Sequence, residues 1–193
     1  MKTKNHTYRA AFAAVGILSL LALGACDTAP ATREGKTEMR RTSADTLAKA
    51  EQNDPSLGNV IRDAAGYAVF PSIGKGAVGI GGAYGKGDLY ENGVVVGYCD
   101  MTQGSIGFQL GGQDYSEILV FKTHDAVDAF KNGNFRFDAQ ATAVAVKSGE
   151  GANAKFANGV AVFTMDEAGL MYEASVGGQK FSYQARERRT AQQ

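Results

Sequence analysis

Gly66-Tyr67-Ala68-Val69-Phe70-Pro71-Ser72-Ile73-Gly74-Lys75-Gly76-Ala77-Val78-Gly79-Ile80-Gly81-Gly82-Ala83-Tyr84-Gly85-Lys86-Gly87 is the stretch on which the fold turns. Of the 25 glycines in the chain, 14 fall between Gly66 and Gly112. Each costs a helix interior about 1 kcal/mol relative to alanine, so helix is excluded there. Tyr67 to Phe70 reads as a strand that Pro71 is expected to stop, and Gly76 to Tyr90 as a hairpin arm. Val94 to Met101, Ser105 to Leu110 and Glu117 to Phe121 supply three more strands.

Outward from this block the pattern is mixed. Toward the C-terminus one helix interrupts the strands: Thr123 caps it, Asp125 sits in its first turn, Ala126, Val127 and Phe130 form its apolar side, and Gly133 ends it. Phe135 to Val146, Gly159 to Met165, Leu170 to Val176 and Lys180 to Gln184 are again strand-like. Toward the N-terminus, Thr37 to Gln52 lacks Gly and Pro and predicts a helix, and Leu57, Val60, Ile61 and Ala64 predict a short second one. The expected architecture is α+β, with N-terminal helices packed on a strongly bent antiparallel sheet or partly closed β-barrel. Gly66, Ala68, Val69, Phe70, Gly76, Gly85 and Tyr90 recur 93 positions later as Gly159, Ala161, Val162, Phe163, Gly169, Gly178 and Tyr183. This echo predicts paired hairpins at both ends of one sheet.

Lys2, Lys4 and Arg9 precede the apolar run Ala10 to Leu23, too short to span a bilayer as a helix, and Leu23-Gly24-Ala25-Cys26 follows. The run reads as a signal peptide, residues 1–25. Its ending resembles the bacterial lipobox, which implies acylation of Cys26 and a lipid-anchored protein facing the periplasm. Asp27 is similar to the enteric inner-membrane retention signal, and inner and outer membrane both stay open. Residues 26–36 read as a flexible tether, 37–184 as one domain and 185–193 as a polar tail.

The 193-residue chain balances 20 Lys and Arg against 20 Asp and Glu. Cleavage removes three basic residues and no acidic one, leaving 17 against 20. Such a chain lacks the basic excess of a nucleic-acid binder, so no nucleic-acid partner is expected. With Cys26 acylated, Cys99 is the only remaining thiol, and it reads as a buried strand residue.

Gly74-Lys75-Gly76-Ala77-Val78-Gly79 matches G-x-G-x-x-G, but Gly81, Gly82, Gly85 and Gly87 deny it the helix that would hold a pyrophosphate. His124 is the only histidine of the mature chain and sits at a helix start. No Cys/His cluster has zinc spacing, and although Asp100, Asp114 and Glu117 could approach one another across strands, three carboxylates on a β surface are more often solvated than a Ca²⁺ or acid/base site. The residues therefore point to a non-enzymatic protein with no metal and no cofactor. Ile106, Phe108 and Leu110 alternate with Gly107, Gln109 and Gly111, a glycine-lined face suited to close packing.

Two blocks carry a resemblance: Ala65 to Gly76 continued by Gly81-Gly82-Ala83-Tyr84-Gly85-Lys86-Gly87, and Gly104 to Gln113 continued by Ile118-Leu119-Val120-Phe121. Together they resemble the SYLF family, a lipid- and actin-binding module of fungi and animals, over roughly Thr37 to Tyr183. The resemblance implies binding of anionic membrane lipid through an N-terminal helix and basic residues. Lys36, Arg40, Arg41 and Lys49 supply the charge on the helix, and Lys75 and Lys86 lie in the first block. That helix offers only Met39, Leu47 and alanines as an apolar side, so it is expected not to insert by itself, and a solvated helix face is the competing reading. The family's tryptophan and proline after the first hairpin are replaced by Gly97-Tyr98-Cys99-Asp100-Met101-Thr102-Gln103. The functional expectation is an envelope lipoprotein whose domain binds anionic lipid. Its rival is a structural or protein-interaction module with no lipid recognition beyond the anchor.

Overall fold

A computed structural model describes residues 28–75, 82–104, 114–133, 135, 137, 144–145, 149, 151–166 and 178–187. The architecture is α+β. Helices α1 (Arg33–Asn53) and α2 (Leu57–Arg62) precede strands β1 (Gly66–Lys75), β2 (Ala83–Glu91), β3 (Val94–Gln103) and β4 (Tyr115–Phe121). Then come α3 (His124–Lys131), β5 (Val144–Ala145), the short 3-10 turn 151–153, β6 (Val160–Asp166) and β7 (Gln179–Ala185). One sheet has the order β5-β6-β4-β1-β2-β3-β7, antiparallel throughout except for the short β5–β6 pair.

The sheet is strongly curled but not closed. In a flat sheet with strands about 4.8 Å apart, β4 and β7 would lie about 19 Å from each other. Here Gln179 Nε2 on β7 donates to Glu117 Oε2 on β4 at 2.9 Å, and the rings of Phe70 on β1 and Phe181 on β7 are centred 5.8 Å apart. The concave side holds Phe70, Phe121 and Phe181 with Phe130 of α3 and with Phe135 and Phe137. Their tilted and edge-on contacts at 4.8–6.4 Å suit aromatic quadrupoles. Glycines on this side of β2 and β3 make room: a Cβ on Gly87 would run into the Val69 carbonyl and the Phe70 ring, and one on Gly97 into the Tyr183 ring.

On the convex side, α1 and α2 cover Tyr67, Val69, Ile118, Val120, Ala161 and Phe163 of β1, β4 and β6. Apart from Tyr90 and Val95, which join this cluster, the convex side of β2, β3 and β7 is polar. The registers Tyr84↔Thr102↔Lys180, Lys86↔Asp100↔Ser182 and Asp88↔Tyr98↔Gln184 line up in rows, and the last two meet the first half of α1 and the segment before it.

Three expectations change. β1 runs through Pro71 rather than ending there, because the residue lies in register irregularities shared with β2 and β4, where a missing N–H breaks no ladder bond. Among the described residues the echo does not repeat its pairing: β1 pairs with β2, whereas β6 and β7 occupy opposite parts of the sheet and β7 pairs with β3, the stretch between them lying outside the described residues. The helix expected from Thr37 starts at Arg33, because the Thr32 hydroxyl accepts from the Gly35 N–H at 3.0 Å and Glu34 lies in the first turn. Thr123 caps α3 as expected, accepting from Ala126 N at 3.3 Å, and Gly133 follows it with φ +67°. The expected strands Ser105 to Leu110 and Leu170 to Val176, and most of Phe135 to Val146, lie outside the described residues.

One long-range tie has no counterpart in the sequence reading. Asp54, between α1 and α2, accepts from the backbone N–H groups of Ser56, Gly149 and Gly151 and from the Ser56 hydroxyl. These bonds prevail over the opposing effect of burial and hold its carboxyl below the usual range.

The glycine constraint is testable by urea unfolding. Gly87→Ala, which forces side-chain atoms into Val69 and Phe70, is expected to cost about 3 kcal/mol. Gly133→Ala, with left-handed φ but open space around it, is expected to cost about 1 kcal/mol. Equal costs would contradict the packing described.

Candidate functional site

The polar half of the convex face is where the chain's N-terminal segment is laid down. Thr28 and Ala29 are buried. The Thr28 hydroxyl lies 3.4 Å from that of Ser182, the Ala29 N–H donates to Gln184 Oε1 at 2.9 Å, and Lys86 Nζ donates to the Thr28 carbonyl at 3.5 Å. Thr28 and Ala29 are therefore tied to β2 and β7 a few residues ahead of α1.

The expected basic residues divide over this frame. Lys36 stands over the Tyr98 ring, 5.7 Å from its centre, a cation–π arrangement. Lys86 is turned toward the Thr28 carbonyl. Arg40 donates from Nε to the Lys36 carbonyl at 3.1 Å and faces Asp88 electrostatically. Arg41 points outward and is held by Glu38 at 2.6 Å and Asp45 at 2.8 Å; such exposed pairs add little stability. Lys49 lies more than three turns along α1 from Lys36, beside a shallow 110 Å³ depression with Thr46, Pro71 and Asp114. Lys75 closes β1, and its side chain is outside the described residues. Lys36 and Lys86 thus converge with the N-terminal segment, while Arg41 and Lys49 stand apart. Cys26 also lies outside the described residues. Lys180, absent from the expected set, is exposed on the same outward face of β7 as Ser182 and Gln184. The alternation of β7, with Gln179 and Phe181 inward, is the sequence signal that would have found it.

The candidate acid residues do not gather. Asp100 lies on the convex side and accepts from the Tyr84 hydroxyl at 3.2 Å, Asp114 is exposed ahead of β4, and Glu117 is fully buried on the concave side. Among the described residues no group of three or more His, Cys, Asp or Glu could hold a metal ion. His124 is exposed at the start of α3. Cys99 is fully buried, and burial pushes its thiol well above the ordinary range, with Asp88 and Asp100 adding to the effect.

Two buried carboxyls mark the polar rows of the interior. Burial raises Glu117 to about 7 against the lowering pull of the Gln179 amide. Its Oε1, like Thr164 Oγ1 across the β4–β6 register, has no hydrogen-bond partner among the described residues. Burial raises Asp88 to about 6, opposed by the Ser43 hydroxyl and Arg40 on α1, although among the described residues neither carboxyl oxygen has a partner at ordinary hydrogen-bond geometry.

An acid whose folded pKa exceeds its unfolded value keeps its proton longer in the native state. Its stabilising contribution is complete below the unfolded value and is lost as pH rises through the folded one. Thermal stability is therefore expected to fall between pH 5 and pH 8, following the shifts of Asp88 to about 6 and Glu117 to about 7. Glu117→Gln is expected to flatten that slope and to raise the melting temperature at pH 8. A slope unchanged by the substitution would contradict a buried, proton-retaining Glu117.

Comparison with known proteins follows the same lines. Residues 102–191, a little under half of the chain, match the Ysc84 family, described as a Las17-binding protein actin regulator and grouped with the SYLF domains. Over 150 residues, 72% of its length, the chain is 27% identical to Beta cell expansion factor A of Aeromonas veronii, and it spans about half (54%) of that relative. The fold described above is thus that of a chain similar to SYLF-type binding modules in its C-terminal half.

Proposed function

We propose that this chain is a non-enzymatic lipoprotein of the bacterial envelope, anchored through acyl chains on Cys26, whose domain binds anionic lipid. The observation that carries the reading is the convergence of Lys36 and Lys86 with the segment that directly follows Cys26. A lipid on Cys26 brings these ammonium groups near the headgroup layer, where each basic residue adds about 1 kcal/mol of attraction to an anionic surface. α1 buries only Ser43 and Ala50. It has no broad apolar stripe to insert, so the attraction is electrostatic and superficial. The similarity of residues 102–191 to a family of binding proteins supports a role in binding rather than catalysis.

That family's description, Las17-binding protein actin regulator, favours the second reading of a protein-interaction module held at the membrane by its acyl chains. Co-sedimentation separates the two. The unlipidated domain is expected to pellet with phosphatidylglycerol vesicles, to stay in solution with phosphatidylcholine vesicles, and to be released by raised salt as screening shortens the reach of its charges. Equal behaviour with both vesicles would leave the protein-interaction reading in its place. For the anchor, Cys26→Ser is expected to leave an uncleaved precursor or a protein released from membranes. Unchanged processing and fractionation would refute acylation at that position.

A further inference from the structure

The docked N-terminal segment fixes more than the presence of an anchor; it fixes where on the domain the anchor leaves. Thr28 and Ala29 are held by side chains of one edge strand, Ser182 and Gln184 of β7, and by Lys86 of β2. Two residues of backbone reach at most about 7 Å, so residue 26 stands within that distance of Thr28. The outward side chains of β7, Lys180, Ser182 and Gln184, are all exposed. Among the described residues β7 ends the sheet order.

We infer that the outward face of β7, with the docked Thr28 and Ala29, is the side of the domain held against the membrane, and that Lys180 contacts anionic headgroups there. The inference rests on the acylation of Cys26 and names the surface which that anchor presents. A bilayer is the occupant that the geometry fits. The chain leading to the acyl chains ends on this face, where the cations Lys180, Lys86 and Lys36 stand with the exposed Arg33 near the start of α1, and where the buried carboxyls of Asp88 and Asp100 and the exposed Glu34 are the opposing charges. The α1–α2 junction, the 151–153 turn and Lys155 lie on the β6 half of the molecule, away from β7. Because the segment is bonded rather than free, the anchor orients the domain instead of letting it tumble on a leash.

The test uses the full-length protein, processed and lipidated in cells and reconstituted into phosphatidylglycerol-containing vesicles that carry a nitroxide on a fraction of the headgroups. Intact mass first reports whether Cys26 is acylated. A fluorophore on an introduced cysteine is then placed in turn at Lys180→Cys and Lys155→Cys; native Cys99 is buried. Quenching at position 180 is expected to exceed that at position 155 by at least about twofold, given the roughly 7 Å tether. Gln184→Leu, which removes the acceptor of the Ala29 N–H, is expected to reduce the difference. Even quenching, or stronger quenching at 155, in protein of the acylated mass overturns the orientation while leaving the anchor intact. An unacylated mass overturns the anchor and the orientation with it.

Discussion

The absence of side chains at Gly85, Gly87 and Gly97 on the concave face of the sheet is the constraint on which the rest of the molecule depends. A Cβ at Gly85 would stand 2.6 Å from Ile73 Cγ1, and those at Gly87 and Gly97 would meet backbone carbonyls and aromatic rings. With these positions empty, β2 and β3 lie close under their neighbours. The sheet then curls far enough for rings from β1, β4, β7 and α3 to form one cluster. The same curl brings Glu117 within hydrogen-bond reach of Gln179, four strand positions away.

Curling divides the convex face into two zones with different tasks. Over β1, β4 and β6 it is apolar and takes Leu47 and Ala50 of α1 together with Leu57 of α2. Over β2, β3 and β7 it carries Tyr84, Lys86, Asp88, Asp100 and Lys180, which no apolar helix face would cover without leaving polar groups unpaired. The segment before α1 meets this need with its own backbone: the Thr28 carbonyl accepts from Lys86 and the Ala29 N–H donates to Gln184. A stretch that looks like a linker in sequence is thereby bonded to the sheet.

Much of this was legible in the residues. Thr123 and Gly133 mark both ends of α3 correctly, and the glycine-rich block excludes helix in the region where β1, β2 and β3 form. The Asn92-Gly93 turn between β2 and β3, with φ of 51° and 72°, was available as a hairpin signal. The remainder was hidden because it depends on pairings distant in sequence. Ala29 and Gln184 are 155 positions apart, Gly151 and Asp54 are 97 apart, and Glu117 and Gln179 are 62 apart. Local propensity carries no information about such contacts. Pro71 misled for a related reason: whether a proline stops a strand depends on its neighbours' register, and here both neighbours shift there. The basic residues were readable by type but not by placement, since only the fold sets Lys36 and Lys86 beside the N-terminal segment and turns Arg41 toward Glu38 and Asp45.

The claim that the N-terminal segment belongs to the domain is most directly tested by amide hydrogen exchange at Ala29 in the soluble domain beginning at Asp27. A bonded amide exchanges only through opening, at a rate set by the local stability. The account predicts that Ala29 exchanges much more slowly than an unstructured amide, and that Gln184→Leu restores fast exchange there while the amides of β3 and β4 stay protected. Exchange of Ala29 at the unstructured rate in the unaltered domain would contradict it.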